Sequence, residues 1–143
     1  MTVERILQGK SREIASITAG ASLASVCTLL AERRIGAVPV MEGTSLIGIL
    51  SERDVVRALA LGGATALELP VGEIMTRSVR TITRGTKVEE AMAIMTEGRF
   101  RHLPVIEDGR MIGIVSIGDV VKARLDAQQR EVEDLKSYVA GAA

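Results

Sequence analysis

The chain repeats itself. Residues 17–58 and 82–123 align at a constant offset of 65 without a gap, and 16 of the 42 positions are identical. The matches include Ile17/Ile82, Gly20/Gly85, Pro39/Pro104, Gly48/Gly113, Ser51/Ser116 and Asp54/Asp119. Self-similarity of this kind constrains architecture before any local propensity does, because each copy is one supersecondary unit that needs a neighbour to bury its apolar face. Each half spans roughly 60 residues, a size that is marginal alone. The halves are therefore expected to share a core. Upstream, Val3-Glu4-Arg5-Ile6-Leu7 resembles Val71-Gly72-Glu73-Ile74-Met75, with three extra residues in the first copy.

Both copies read alike. A short extended piece (15–18, 80–83) precedes a helix, marked by Leu23, Val26, Cys27 and Leu30 in one and by Val88, Ala91, Met92 and Met95 in the other. These fall at i, i+3, i+4 and i+7, one face of a helix. Ser22 suits the first N-cap. Apolar strands follow at 37–41 and 102–106, then a turn, for which Asp108-Gly109 is a hairpin signal. Second strands at 46–50 and 111–115 lead into helices opening at Ser51 and Ser116. The expected fold is α+β, with the order β-α-β-β-α twice. The division is repeat 1 at 1–60, a Gly- and Pro-containing linker at 61–70, repeat 2 at 71–123 and a helical tail at 124–143.

The tail has no counterpart in the first copy. Val121, Leu125, Gln128, Val132, Leu135 and Val139 are spaced 4, 3, 4, 3, 4, a short heptad-like seam with charges between. Such a helix either packs on its own domain or pairs with a second chain. The wide polar face favours pairing, hence a homodimer.

Composition excludes several classes. Lys+Arg and Asp+Glu are 18 each, so the net charge is zero and there is no cationic excess for nucleic-acid binding. One Phe, one Tyr and no Trp leave no repeated stacking platforms. A single cysteine rules out an internal disulfide and a cysteine-cluster zinc site. No apolar run is long enough to span a membrane. Residues 1–10 lack the apolar stretch of a signal peptide. A cytoplasmic, reducing setting is expected.

The motifs point to a family. Gly36-Ala37-Val38-Pro39-Val40 with Leu46-Ile47-Gly48-Ile49-Leu50-Ser51-Glu52-Arg53-Asp54 resembles one cystathionine-beta-synthase-type (CBS) domain. Arg101-His102-Leu103-Pro104-Val105 with Met111-Ile112-Gly113-Ile114-Val115-Ser116-Ile117-Gly118-Asp119 resembles a second. The resemblance runs from about Val3 to Lys122 and implies a tandem pair packed about a pseudo-twofold axis. It also implies clefts that take adenosine compounds: AMP, ADP, ATP, S-adenosylmethionine or an NAD-type dinucleotide. Such modules regulate enzymes or transporters.

Candidate site residues follow from the motifs. Ser51-x-x-Asp54 and Ser116-x-x-Asp119 open helices after strands. There the family uses the acid for ribose and the hydroxyl with helix N–H groups for phosphate. The same spacing is a capping box, in which Ser and Asp serve only the helix end. Arg101 and His102 are cationic partners for phosphate. The family pattern in a kinase regulatory subunit is His-Arg, the reverse order. Gly36 and Ala37, at the same place in the first copy, offer no cation but let a flat base approach. One cleft is expected to gather Thr18, Gly36 and Ala37 with Arg101, His102, Ser116 and Asp119. The other is expected to gather Thr83 with Ser51, Arg53 and Asp54. With few aromatics, an adenine would be sandwiched by aliphatic side chains. Arg34 and Arg99 sit near helix ends, where the dipole explains them, and Cys27 belongs to a core face.

Nothing in the sequence supports catalysis. One His and one Cys lie on different elements, and His-Glu-x-x-His and Gly-x-x-x-x-Gly-Lys-Ser/Thr motifs are absent. A regulatory nucleotide-binding module is the expected function, and a ligand-free dimeric scaffold with the same fold is the alternative.

Overall fold

The computed structural model of the chain describes residues 1–10 and 13–142. Each repeat is built on a two-stranded antiparallel hairpin. One holds β1 (Ala37–Glu42) and β2 (Ser45–Ser51), the other β3 (His102–Glu107) and β4 (Arg110–Ser116). Val38 pairs with Leu50 and Leu103 with Val115, and the register shifts at matching places, after Val40 and after Val105. The second hairpin turns on Asp108 and Gly109, at φ 52° and 76°. Two successive left-handed residues match the twist of the flanking strands, which is why Asp-Gly serves there. The extended piece ahead of each hairpin contributes one parallel bridge only, Ile17 to Val40 and Ile82 to Val105. The expected first strand of each unit is thus reduced to a single rung.

Helices α2 (Leu23–Arg33) and α4 (Val88–Gly98) cover the hairpins. Leu23, Val26 and Leu30 are buried on one, Val88, Ala91 and Met95 on the other. Cys27 and Met92 pack at the edges of these cores. Ser22 caps α2 as expected, its hydroxyl accepting from Ser25 N–H at 3.2 Å. Arg34 and Arg99 prove to be the C-caps themselves, both left-handed, at φ 54° and 55°. That conformation stops each helix and is one that glycine adopts more cheaply.

After the hairpins come α3 (Glu52–Gly62) and the long α5 (Ile117–Ala142). Residues 61–70, read as a linker, are not a free tether. α3 runs to Gly62, a 3-10 helix follows at Gly63–Glu68, Ala66 is buried, and the Leu69 carbonyl accepts from Leu23 N–H at 2.9 Å.

The cores do not follow the order of the chain. Helix α1 (Val3–Gln8) leaves the first repeat and packs on the second. Val3 is fully buried with Val88, Leu103, Val105, Val115 and Val120. In return, Val71 and Met75 are buried with Leu23, Val26, Val38, Val40 and Leu50 of the first repeat. The exchange is reciprocal in detail. Val3 N–H bonds Thr86 O at 2.9 Å, and Val71 N–H bonds Ala21 O at 2.8 Å. The Leu7 side chain lies on the Cα of Gly113, and Met75 lies on that of Gly48, so closely that a Cβ at either glycine would collide. A side chain at either glycine would force Leu7 or Met75 to move, and at Gly48 it would also press on the Thr76 carbonyl at 3.0 Å. These paired contacts realise the expected pseudo-twofold relation.

Candidate functional site

The strand-to-helix junctions set the geometry. Ser51 ends β2 and caps α3, with its hydroxyl accepting from Asp54 N–H at 3.3 Å. Asp54 Oδ2 in turn accepts from Ser51 N–H at 2.9 Å and from the Ser51 hydroxyl at 3.1 Å. This is a complete capping box. Asp54 is also the buried polar residue of the core surface, 8% exposed. Its other oxygen, Oδ1, accepts from the Thr76 hydroxyl at 3.2 Å. A carboxylate accepts about four hydrogen bonds, so Asp54 keeps an acceptor position on Oδ1 for a ligand.

Beside Asp54 opens a cavity of about 510 Å³ between the repeats. The first repeat contributes Gly36, Ala37, Ile49, Ser51, Glu52, Arg53, Asp54 and Arg57. The crossing segment contributes Thr76, Ser78, Val79 and Arg80, and the second repeat Gly98, Arg99, Phe100, Arg101 and His102. Arg53 spans the cleft, donating from Nη1 to the Arg99 carbonyl at 3.0 Å. Five arginines face two carboxylates here, Glu52 and Asp54. The chain is neutral overall, so this is a local concentration of positive charge. Ile49, Val79 and Phe100 supply an apolar portion of the lining.

His102 stands against the first repeat. A Cβ on Gly36 would come within 3.2 Å of its Cε1, so the glycine makes room for the imidazole. Burial pushes the His102 pKa below its usual value and Lys10 adds to this, with Arg101 a lesser contributor, while Glu52 and Asp119 pull the other way. The imidazole is therefore mainly neutral at pH 7.

The structure divides the expected clefts differently. Gly36, Ala37, Arg101 and His102 meet as anticipated, but their Ser/Asp partners are Ser51 and Asp54 of the first repeat, joined by Arg53. Ser116 and Asp119 do not line that cavity, and Thr18 and Thr83 line neither cavity. Thr83 instead forms a local turn, its N–H and hydroxyl both at the Thr86 hydroxyl (3.1 and 3.3 Å). The Thr18 carbonyl accepts from Ala21 N–H at 3.2 Å. The cause is the exchange of segments. The chain leaving Met75 pairs with β2 through Thr76, whose N–H and C=O bond Ile49 at 2.9 and 3.0 Å. It then carries Ser78, Val79 and Arg80 into the cleft that Asp54 faces.

The second corner copies the first in part. Ser116 N–H donates to Asp119 Oδ2 at 2.8 Å, and Asp119 N–H to the Ser116 hydroxyl at 3.1 Å. Asp119 then pairs with Lys10 Nζ at 2.7 Å. Burial pushes the Asp119 pKa up, but the bonds from Lys10 and Ser116 outweigh it and hold the carboxyl below its usual value. Lys10, Thr76, Arg80 and Phe100 were not singled out in the sequence. Only Phe100, one of two aromatics, carried a signal that could have drawn attention. Among the described residues, no group of His, Cys, Asp and Glu is arranged to hold a metal ion, and no helix is long and apolar enough to cross a membrane.

Comparison with known proteins agrees with this fold. The CBS domain family model matches residues 3–61 and 71–126. The chain is 41% identical over 117 residues to the CBS domain-containing protein CBSX3, mitochondrial, of Arabidopsis thaliana. That alignment covers 78% of this chain and 57% of the relative's length. The crystal structure of the CBS-domain containing protein ATU1752 from Agrobacterium tumefaciens superposes with a TM-score of 0.84 at 41% identity, covering 87% of this chain and 99% of that one. The structure of CBSX2 in complex with AMP gives a TM-score of 0.74 at 28% identity, covering 89% and 98%. The chain belongs to the CBS-domain family and carries two CBS domains in tandem.

Proposed function

We propose that the chain is a non-catalytic sensor that binds an adenine nucleotide with two or three phosphates in the cavity between its CBS domains. One observation carries the reading: Arg53, Arg57, Arg80, Arg99 and Arg101 converge on the cavity that holds Asp54. A di- or triphosphate matches such a surplus of cations, whereas AMP leaves cations over and the sulfonium of S-adenosylmethionine is repelled by them. NAD-type dinucleotides, with a diphosphate, fall between. The cavity volume lies within the roughly 300–1,000 Å³ of small-molecule sites. AMP in the related CBSX2 supports the choice of an adenine compound. The ribose would use the remaining acceptor of Asp54. The base would rest near Gly36 and Ala37 against Ile49, Val79 and Phe100, so that an aromatic ring joins the aliphatic side chains expected to sandwich it.

Arg53 and Arg101 come from different repeats, so phosphates held by both tie the repeats together. The regulatory energy equals the ligand's preference for that arrangement. A homodimer formed through α5 would transmit it, in the cytoplasmic setting expected from the sequence. Leu125, Val132, Leu135 and Val139 of the seam are 51–63% exposed within one chain, which is apolar surface that pairing would cover. The purified protein is expected to scatter light as a dimer at tens of micromolar. A monomer there would leave the seam without a role in stable self-association.

Thermal unfolding with millimolar AMP, ADP, ATP, S-adenosylmethionine and NADH tests the ligand. At 100 times its dissociation constant a ligand adds about 2.7 kcal/mol, which raises the midpoint by roughly 5–10 °C for a chain of this size. ATP and ADP are expected to give the largest shifts. If none of the five moves the midpoint, the scaffold reading replaces the sensor.

A further inference from the structure

Helix α5 has two apolar faces, and the body of the chain covers one. Val120 is fully buried, Ala123 packs on the second core and Ala127 is half-buried. That inner face ends at Ala127, and residues 128–141 are all exposed. The other face carries Val121, Leu125, Gln128, Val132, Leu135 and Val139, and it continues along the projecting part. A helical segment of about 12–15 residues is marginal in water unless something packs on it. The projecting part of α5 therefore needs a partner, and this stripe is the face it offers.

The stripe fits a second copy of itself, in one direction. Written as heptads, Leu125, Val132 and Val139 take a positions, and Val121, Gln128 and Leu135 take d positions. Valine at a with leucine at d suits two parallel strands, and a single polar residue in such a seam fixes its register. In a parallel pair every layer joins like with like, so the two Gln128 amides meet and bond each other. An antiparallel pair sets a against d. Within the stripe Gln128 would then face Leu125, Val132 or Val139, and its amide would lose its partner. The flanking charges agree. Glu131 precedes an a position and Lys136 follows a d position, so a parallel pair brings Glu131 to the partner subunit's Lys136. The antiparallel pair that overlaps the whole stripe sets Glu131 against the partner's Glu131 and Lys122 against the partner's Lys136. Among the described residues, Glu131 and Lys136 form no ion pair within their own chain, whereas Arg124, also beside the seam, is held by Glu89 at 3.7 Å.

We propose that α5 pairs with a second copy as a parallel, in-register two-stranded coil, with Gln128 setting the register and Glu131 with Lys136 the direction. The proposal rests on the reading that α5 joins two chains. It adds the direction, which puts both CBS pairs at the same end of the coil.

Disulfide trapping of the full chain tests it, in a Cys27→Ser background. Leu135→Cys is expected to form a linked dimer on oxidation with diamide, because the parallel pair sets position 135 against itself. In the fully overlapped antiparallel pair, position 135 faces position 125. The two copies of position 135 are then about 15 Å apart, beyond the span of a disulfide. Charge variants read the same geometry by analytical ultracentrifugation. Glu131→Lys is expected to weaken the dimer about tenfold, and adding Lys136→Glu should restore it. Both positions are exposed, so these variants keep the fold. In the antiparallel pair, Glu131→Lys exchanges one repulsion for another and changes little. A dimer in which Leu135→Cys links only when mixed with Leu125→Cys, or one indifferent to Glu131→Lys, overturns the proposal and leaves the pairing of α5 standing. A wild-type chain that is monomeric at tens of micromolar overturns both.

Discussion

Val71→Asp is expected to unfold the first repeat, although Val71 stands at the start of the second. Its side chain is fully buried among Leu23, Val26, Val38 and Leu50. A carboxylate placed there has no partner, and burying an unpaired charge costs several kcal/mol even when the group protonates to avoid it. A domain of this kind has about 5–15 kcal/mol in total. Circular dichroism on urea titration should therefore show most of the cooperative transition lost. Val3→Asp should do the same from the other side, since Val3 is fully buried in the second core. Val56→Asp is the control. Val56 is 66% exposed, so its change should stay within about 0.5 kcal/mol. Stability within about 1 kcal/mol of the wild type for Val71→Asp would refute the exchanged-core account.

Asp54→Ala is expected to erase the ATP-dependent rise in unfolding temperature and to lower the midpoint without ligand. The ligand-free loss comes from the capping box, about 0.5–2 kcal/mol, and from the Thr76 hydroxyl left without its acceptor. The ligand-dependent loss is the whole increment, about 2.7 kcal/mol at saturating ATP. Asp119→Ala supplies the contrast. It removes a partly exposed ion pair worth about 0–1 kcal/mol and the capping bonds with Ser116, about 0.5–2 kcal/mol, and should leave the ATP increment intact. An Asp54→Ala protein that keeps the wild-type ATP increment would take Asp54 out of the site, whatever its stability alone.

Much of the architecture is legible in one dimension because it depends on local patterns. The faces of α2 and α4 follow from apolar spacing, and the second hairpin from Asp108-Gly109. The Ser/Asp corners were read both as capping boxes and as ligand groups. The capping geometry is present at both corners, and one acceptor of Asp54 remains over. The tail seam was visible as a heptad pattern, and its apolar residues do stand exposed. Other features had no local signal. Thr76 as the third donor to Asp54 and Lys10 on Asp119 each depend on a residue far away in the chain, and the caps at Arg34 and Arg99, though closed locally on Leu30 and Met95, lack the glycine that would mark them.

The repeat, the hairpins, the helix faces and the family could all be read from residues in order, because period, turn chemistry and capping act over a few positions. Which cleft holds which residues could not. That was decided when α1 and the segment at Val71 exchanged repeats. The exchange brings Arg80 and Arg101 to Asp54 and sends Lys10 to Asp119. Burial of Val3 and Val71 in each other's repeat drives the exchange, and the glycines at 48 and 113 leave space for Met75 and Leu7. These contacts join residues from 27 (Met75 and Gly48) to 106 (Leu7 and Gly113) positions apart, so only the packed molecule brings them together.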